Sequence, residues 1–173
     1  MLGFAPAEIA AVLDTSAAAV SSALQRAHRT IDDLLPERGQ QATLRALGDE
    51  RLRGIVATYT DAWERNDVDA ILAMLTHDAA FAMPPRPTWF RGQDAIRVFL
   101  HRAPFASGRR WRLVETSAGA QPAFGTYLWN GERWEAHAID VLTLSPDGRV
   151  AEVIAFIDAA AFRRFGLPDE LPV

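Results

Sequence analysis

Few residues in this chain are placed to do chemistry. His137 and Asp140 stand in "ERWEAHAIDVLTLSPDG", and Asp158 follows "RVAEVIAFI" near the C-terminus. Carboxyls and imidazoles can move a proton when they face a substrate from an otherwise apolar wall. The candidates for that wall are aromatic and apolar. Tyr59, Trp63, Phe81 and Met83 come from the first half of the chain, and Trp89, Phe124, Tyr127 and Phe156 follow. Strand alternation sets a condition on the polar pair. His137 shares its side with Ile139 and Val141, and Asp140 shares its side with Ala138 and Leu142, so both line one cavity only if a bulge intervenes.

Other chemistries find no residues. The 173 residues include no cysteine, which removes disulfides and thiolates. His28, His77 and His101 are isolated, with no pair at ligand spacing, so no metal is expected. Neither a glycine-rich phosphate loop nor a serine in an elbow context is found, and no cofactor is expected. The net charge of -4 argues against indiscriminate nucleic-acid binding by the whole chain. Hydrophobic residues make up 49% of the sequence, enough for a sizeable core. No apolar run approaches the ~20 residues of a membrane span, and the start lacks the pattern of a signal peptide. No membrane association and a cytoplasmic location are therefore expected.

The elements that must hold these residues begin with "LGFAPAEIAAVLDTSAAAVSSALQRAHRTI". Pro6 suits a first helical position, and Ile9, Val12 and Leu13 recur at helical spacing. Thr15 or Ser16 caps a second helix, whose apolar face carries Val20, Ala23, Leu24, Ala27, Ile31 and Leu34. Residues 1–34 thus form a helix-turn-helix or an ordinary helical hairpin. Residues 35–49, with Pro36 and Gly39, read as a linker with one helical turn at most. From residue 50 the helical period returns, with Leu52, Ile55, Val56, Tyr59, Ala62 and Trp63 on one face. Asp67 caps a shorter helix. "HDAAFAMPPRPTWFRG" holds three prolines, which predicts an edge strand and a loop. A third helix covers "QDAIRVFLHRAPF". After Gly108 the period becomes two, and four strands follow, with hairpin signals at Asn130-Gly131 and Asp147-Gly148. Helices followed by an antiparallel meander predict an α+β domain over 50–173, with helices on one face of a curved sheet.

This order of elements resembles the cone-shaped fold of SnoaL-like polyketide cyclases and ketosteroid isomerases. "DAAFAMPPRPTWFRGQDAIRVFL" and "RVAEVIAFIDAAAFRRFGLP" are similar to the SnoaL-like domain fused to some extracytoplasmic-function (ECF) sigma factors of the sigma-70 family. The opening stretch resembles the end of sigma region four in the same proteins. The resemblance covers nearly the whole chain. It implies a partial region-four helix-turn-helix over 1–34, a linker over 35–49 and a SnoaL-like domain over 50–173. In the family, region two and the first half of region four would precede the position of Met1. The chain is thus expected to be the C-terminal part of such a sigma factor.

The resemblance also implies roles. The helix from Ser16 to about Ile31 would read the −35 element of a promoter. Ser16, Ala17, Ser21, Ser22, Gln25, Arg26 and Arg29 lie off its apolar face. Gln25 and Arg26 would reach base edges and Arg29 a phosphate. Charge weakens DNA binding by this segment alone, because Arg26 and Arg29 are outnumbered by Glu8, Asp14, Asp32 and Asp33. Asp14 also stands where the family's turn is usually glycine-like. In cyclases and isomerases a carboxylate moves a proton beside a carbonyl, helped by donors to the developing oxyanion. Asp158 would be that base, with His137 or Tyr127 as donor. The plainer reading leaves no catalytic residue and gives Asp158 to capping "AAAFRRF". The first expectation is that the domain regulates transcription initiation with RNA polymerase core and promoter DNA as partners. The second is a cofactor-free isomerase or cyclase acting on a hydrophobic carbonyl compound. The third is a module that binds a small hydrophobic ligand or forms a homodimer.

Overall fold

The computed structural model describes residues 5–34 and 39–172, which fall into two units, Met1–Gly39 and Gln40–Val173. In the first, α1 (Pro6–Val12) and α2 (Ala17–Leu34) meet at a bend of 110°. Pro6 loses no helical hydrogen bond at its position, and Glu8 Oε2 accepts the Ala5 N–H at 2.7 Å. Asp14 has φ 49°, a left-handed conformation that aspartate tolerates better than most residues. Of the two capping candidates it is Ser16 whose Oγ accepts a helical N–H, that of Ala19 at 3.1 Å. Ala10 and Val20 are buried, while Val12, Leu13 and Leu24 are exposed. The side chains of Ile31 and Leu34 lie outside the described residues.

The second unit begins with α3 (Gln40–Leu47), inside the stretch expected to be linker. Burial of Thr43 and Leu44 gives this helix a packed side, a signal too short to register as a period. The next helix, α4 (Asp49–Glu64), buries Val56, Tyr59, Ala62 and Trp63 along one stripe. Asp67 Oδ1 accepts the Ala70 N–H at 3.0 Å and starts α5 (Val68–Met74). Strands β1 (Leu75–Ala82) and β2 (Trp89–Arg91) flank the proline loop, and α6 (Gln93–Arg102) follows. The meander is β3 (Trp111–Ala118), β4 (Gln121–Trp129), β5 (Trp134–Leu144) and β6 (Val150–Phe156), with a short β7 (Glu170–Leu171) added on β5. The strand order is β2-β1-β6-β5-β4-β3, so β2, which follows the proline loop, is an edge. Only the β1–β6 pair is parallel among the described pairings. The unit is therefore mixed α+β, with helices packed on a largely antiparallel sheet.

The two faces of the sheet bury different residues. The inner face joins Tyr59, Trp63, Ile96 and Leu100 of the helices to Phe124, Ala138 and Leu142 of the strands. The outer face packs Tyr127, Ile139 and Val141 against Phe162 and Leu167, which follow the last long strand. Gly125 makes this second contact close. A Cβ there would lie 2.5 Å from Leu167 Cδ1 and 3.0 Å from Phe162 Cε1. We therefore expect Gly125→Ala to cost about 1–3 kcal/mol of stability by overpacking, read from the midpoint of urea unfolding.

Candidate functional site

The site begins with an irregularity in β5. Thr126 pairs with Ala138 and Tyr127 pairs with Ala136, so His137 has no partner on β4 and forms a bulge. The bulge changes the parity of the strand. Trp134 and Ala136 belong to the outer face, whereas Ala138 and Leu142 belong to the inner one. Thr126 Oγ1 donates to the Ala138 carbonyl at 3.0 Å and pins the irregular segment. His137 and Asp140, which regular alternation would separate, line one cavity.

That cavity has a volume of about 50 Å³. Trp63, Trp111, Phe81, Met83, Phe99, Thr126 and Asp140 are among the residues that line it. The aromatic rings brace one another. Trp63 stands edge-on to Phe105 at 5.0 Å and to Trp111 at 6.1 Å. Tyr59 stacks on Phe124 at 5.1 Å and lies 6.0 Å from Trp63. The Trp111 indole N–H donates to the Pro104 carbonyl at 2.8 Å, which fixes the ring that meets His137 at 5.2 Å. The cavity holds little more than a water molecule, whose share of liquid volume is about 30 Å³. A larger compound enters only if a flexible wall residue such as Met83 turns aside.

Electrostatics separate the polar groups by role. Asp140 is buried, and its carboxyl has no hydrogen bond among the described residues. Burial pushes its pKa up to about 7, so it exchanges a proton near neutrality. The Tyr59 hydroxyl and the Trp63 indole nitrogen are buried donors with no partner among the described residues. Burial holds the Tyr59 phenol well above its ordinary pKa; the Asp140 charge adds to this and the Trp63 N–H opposes it. The half-buried His137 is lowered by burial, then by the positive charges of Arg86 and Arg109. Its imidazole is therefore neutral at neutral pH, with one donor and one acceptor nitrogen. A base titrating near 7 with unspent donors beside it is the equipment for moving a proton on a carbonyl compound.

The remaining candidates lie elsewhere. Phe124 is buried beneath Tyr59, while Trp89 and Phe156 are exposed, by 64% and 41%. Tyr127 sits on the outer face, edge-on to Phe162, and its hydroxyl donates to the Pro168 carbonyl at 2.9 Å. Asp158 is exposed, and its Oδ1 accepts the Ala160 N–H at 2.9 Å to cap the 3₁₀ helix Ala159–Phe165. Neither Tyr127 nor Asp158 reaches the His137 cavity. Asp158→Ala should cost about 1 kcal/mol through the lost cap and Asp158→Asn less, both measured by thermal unfolding. On α2, Ser16, Ala17, Ser21, Ser22, Gln25 and Arg26 are exposed, though the Ser16 hydroxyl is engaged in its cap. The side chain of Arg29 lies outside the described residues.

Tyr59 and Trp63 are expected as wall residues, yet each carries a polar tip that a core must satisfy, which is the signal in the sequence for a donor. For Asp140 the signal was an acid flanked by Ile139 and Val141 in a central strand. Among the described residues no group of three or more His, Asp or Glu is placed to hold a metal ion. No single described helix is long and apolar enough to cross a membrane.

A two-faced sheet, helices on one side and a buried acid beneath them define a class. Residues 56–153 match the SnoaL-like domain, and the chain belongs to that family. Solved structures share the fold. One is a SnoaL-like protein of unknown function from Burkholderia thailandensis E264, 22% identical, covering 61% of this chain and 93% of that one with a TM-score of 0.51. Another is an NTF-2 like protein of unknown function from Burkholderia xenovorans LB400, 16% identical, covering 73% of this chain and 91% of that one with a TM-score of 0.54. The chain is also similar to the ECF RNA polymerase sigma factor SigG of Mycobacterium tuberculosis, with 34% identity over 172 residues. That match takes in 99% of this chain and 46% of SigG, so the chain spans about half the length of the curated relative.

Proposed function

We propose that the SnoaL-like unit moves a proton on a hydrophobic carbonyl compound without a cofactor, as an isomerase or cyclase does. One observation carries this reading: a buried carboxyl raised to about 7, in a cavity that the unpartnered Trp63 indole N–H and His137 also line. Asp140 is the base. It takes a proton from the carbon beside the carbonyl, and the electron pair moves toward oxygen. Trp63 Nε1–H and neutral His137, which line the cavity with Asp140, are the donors available to that oxygen. Asp140 then returns the proton to another carbon, so nothing is consumed. Asp158 and Tyr127 take no part, because they lie outside the cavity. The test is turnover of a graded series of β,γ-unsaturated ketones, from small cyclic compounds to steroids, followed by absorbance of the conjugated product. Turnover lowered about 10²–10⁴-fold by Asp140→Asn supports the assignment. No turnover by the wild-type protein across the series removes it.

A second reading rests on a different observation. The similarity to SigG runs through both units, from the opening helices to the end of the SnoaL-like one. In this reading the chain is the C-terminal part of an ECF sigma factor and serves transcription initiation. Its α2 faces promoter DNA, through Gln25 and Arg26 among others, and its SnoaL-like unit regulates RNA polymerase. A regulatory unit acts only through contacts that differ between competent and incompetent states. A compound held by the Asp140 cavity would be the natural means of biasing them. The test joins the N-terminal half of SigG to this chain in place of the matched half. Transcription by RNA polymerase core from a SigG-dependent promoter, altered by changes at Trp63 or His137, supports the reading. A chimera indifferent to removal of residues 40–173 contradicts it.

A further inference from the structure

The Asp140 cavity is small, and two of the buried groups on its wall have nothing to bond. Its volume of about 50 Å³ admits a water molecule. Trp63 and Asp140 both line it and are only 4% and 2% exposed. The Trp63 indole N–H has no partner among the described residues, and neither has the Asp140 carboxyl. The other indole of the wall is spent, because Trp111 Nε1–H donates to the Pro104 carbonyl at 2.8 Å. Thr126 Oγ1 is committed as a donor to the Ala138 carbonyl at 3.0 Å and keeps only its accepting lone pairs. A donor and an acceptor buried without partners are unfavourable. Native cores satisfy such groups with a bound water where the space is polar and large enough.

His137 connects this wall to solvent. It lines the same cavity from the bulge of β5 and is half-buried, whereas Asp140 is buried. Its ring meets Trp111 edge-on at 5.2 Å, and the bond from Trp111 to Pro104 keeps that contact in place. Asp140 and His137 are the two titratable residues among those that line the cavity. A neutral imidazole takes a proton on one nitrogen and releases one from the other.

We propose that the cavity is a binding site for a water molecule, held by the Trp63 indole N–H and the Asp140 carboxyl, which relays protons between Asp140 and His137. The Asp140 O–H bond breaks toward the water oxygen while one water O–H bond breaks toward the accepting nitrogen of His137. A carboxylate and an imidazolium result, and the water is regenerated. The imidazolium then gives its other N–H proton to solvent, and the reverse course reloads Asp140. One water hydrates a carboxylate far less than bulk water does, so burial still disfavours its charge. The site stands whether or not the protein turns over a carbonyl compound. In the proton-transfer reading it lets a buried acid lose its proton before a compound binds.

The test is nuclear magnetic resonance on the whole chain, labelled with nitrogen-15 and with carbon-13 at the aspartate carboxyls. Rotating-frame cross-peaks between water and the Trp63 indole proton, assigned with Trp63→Phe, report the bound water. They should appear in the wild type and persist in Tyr59→Phe, which removes the hydroxyl of the neighbouring ring. They should vanish in Ala155→Val, which adds bulk to the cavity wall, with circular dichroism reporting an intact fold. At the midpoint of its titration the Asp140 carboxyl carbon should give one averaged line in the wild type. His137→Phe keeps a ring against Trp111 and should slow the exchange about tenfold or more, which broadens or splits that line. Absence of the cross-peaks from the wild type, or their loss in Tyr59→Phe, overturns the water site. Their persistence in folded Ala155→Val overturns its place in this cavity. Two separate lines in the wild type, or equal line widths in wild type and His137→Phe, overturn the relay.

Discussion

Asp140→Asn should stabilise the protein above neutral pH while removing its proton-transfer activity. Below pH 3.8, Asp140 is protonated in both folded and unfolded chains and contributes no pH dependence. Between 3.8 and about 7, the folded chain keeps a proton that the unfolded chain has released, so stability falls as pH rises. Above about 7 both forms are ionised, and the cost of burying the charge, on the order of 4 kcal/mol, is fully present. Asparagine carries no charge and escapes this window. The wild-type melting temperature should therefore fall relative to the variant between pH 4 and 8, with the variant ahead at the alkaline end. Parallel curves for the two proteins would show that Asp140 is an ordinary carboxylate.

Deletion of His137 should be far more damaging than its replacement. The bulge lets Trp134 and Ala136 meet the outer face while Ala138, Asp140 and Leu142 meet the inner one. Without the extra residue, continuous alternation sends one half of β5 to the wrong side of the sheet. Either Trp134 leaves the contact with Trp129, or Asp140 and Leu142 turn away from the helices. The loss should exceed ~4 kcal/mol, a size confined to broken cores and buried charges. His137→Ala keeps the residue count and should cost about 1 kcal/mol, in line with an ordinary point mutation. Far-ultraviolet circular dichroism and urea unfolding distinguish the two. A deletion variant that unfolds cooperatively near the wild-type midpoint would show that the bulge does not set the faces.

The same bulge explains what the sequence concealed. Strong periods were legible: the stripe of α4, the Asp67 cap, the meander and its turns at Asn130 and Asp147. Helix α3 was not, because Thr43 and Leu44 alone among its eight residues are buried. The change of face within β5 was hidden because His137 lies between Ala136 and Ala138, and alanine fits either side of a sheet. Regular alternation therefore keeps His137 and Asp140 apart and leaves Asp158 as the candidate base, whose carboxylate is engaged in a cap. Tyr127 has the residue type of a donor, but its parity on β4 is regular and places it on the outer face. Trp89 and Phe156 show that an aromatic residue in a strand is weak evidence of a wall, since both are exposed.

The most direct measurement is the titration of the Asp140 side-chain carboxyl. Carbon-13 labelling of aspartate, with Asp140→Asn to assign the resonance, follows the carboxyl carbon as pH rises from 3 to 9. A midpoint at about 7 is the result expected of an unpaired acid in this cavity. A midpoint near the ordinary aspartate value of about 4 would mean a solvated or hydrogen-bonded carboxylate, and would contradict Asp140 as the base.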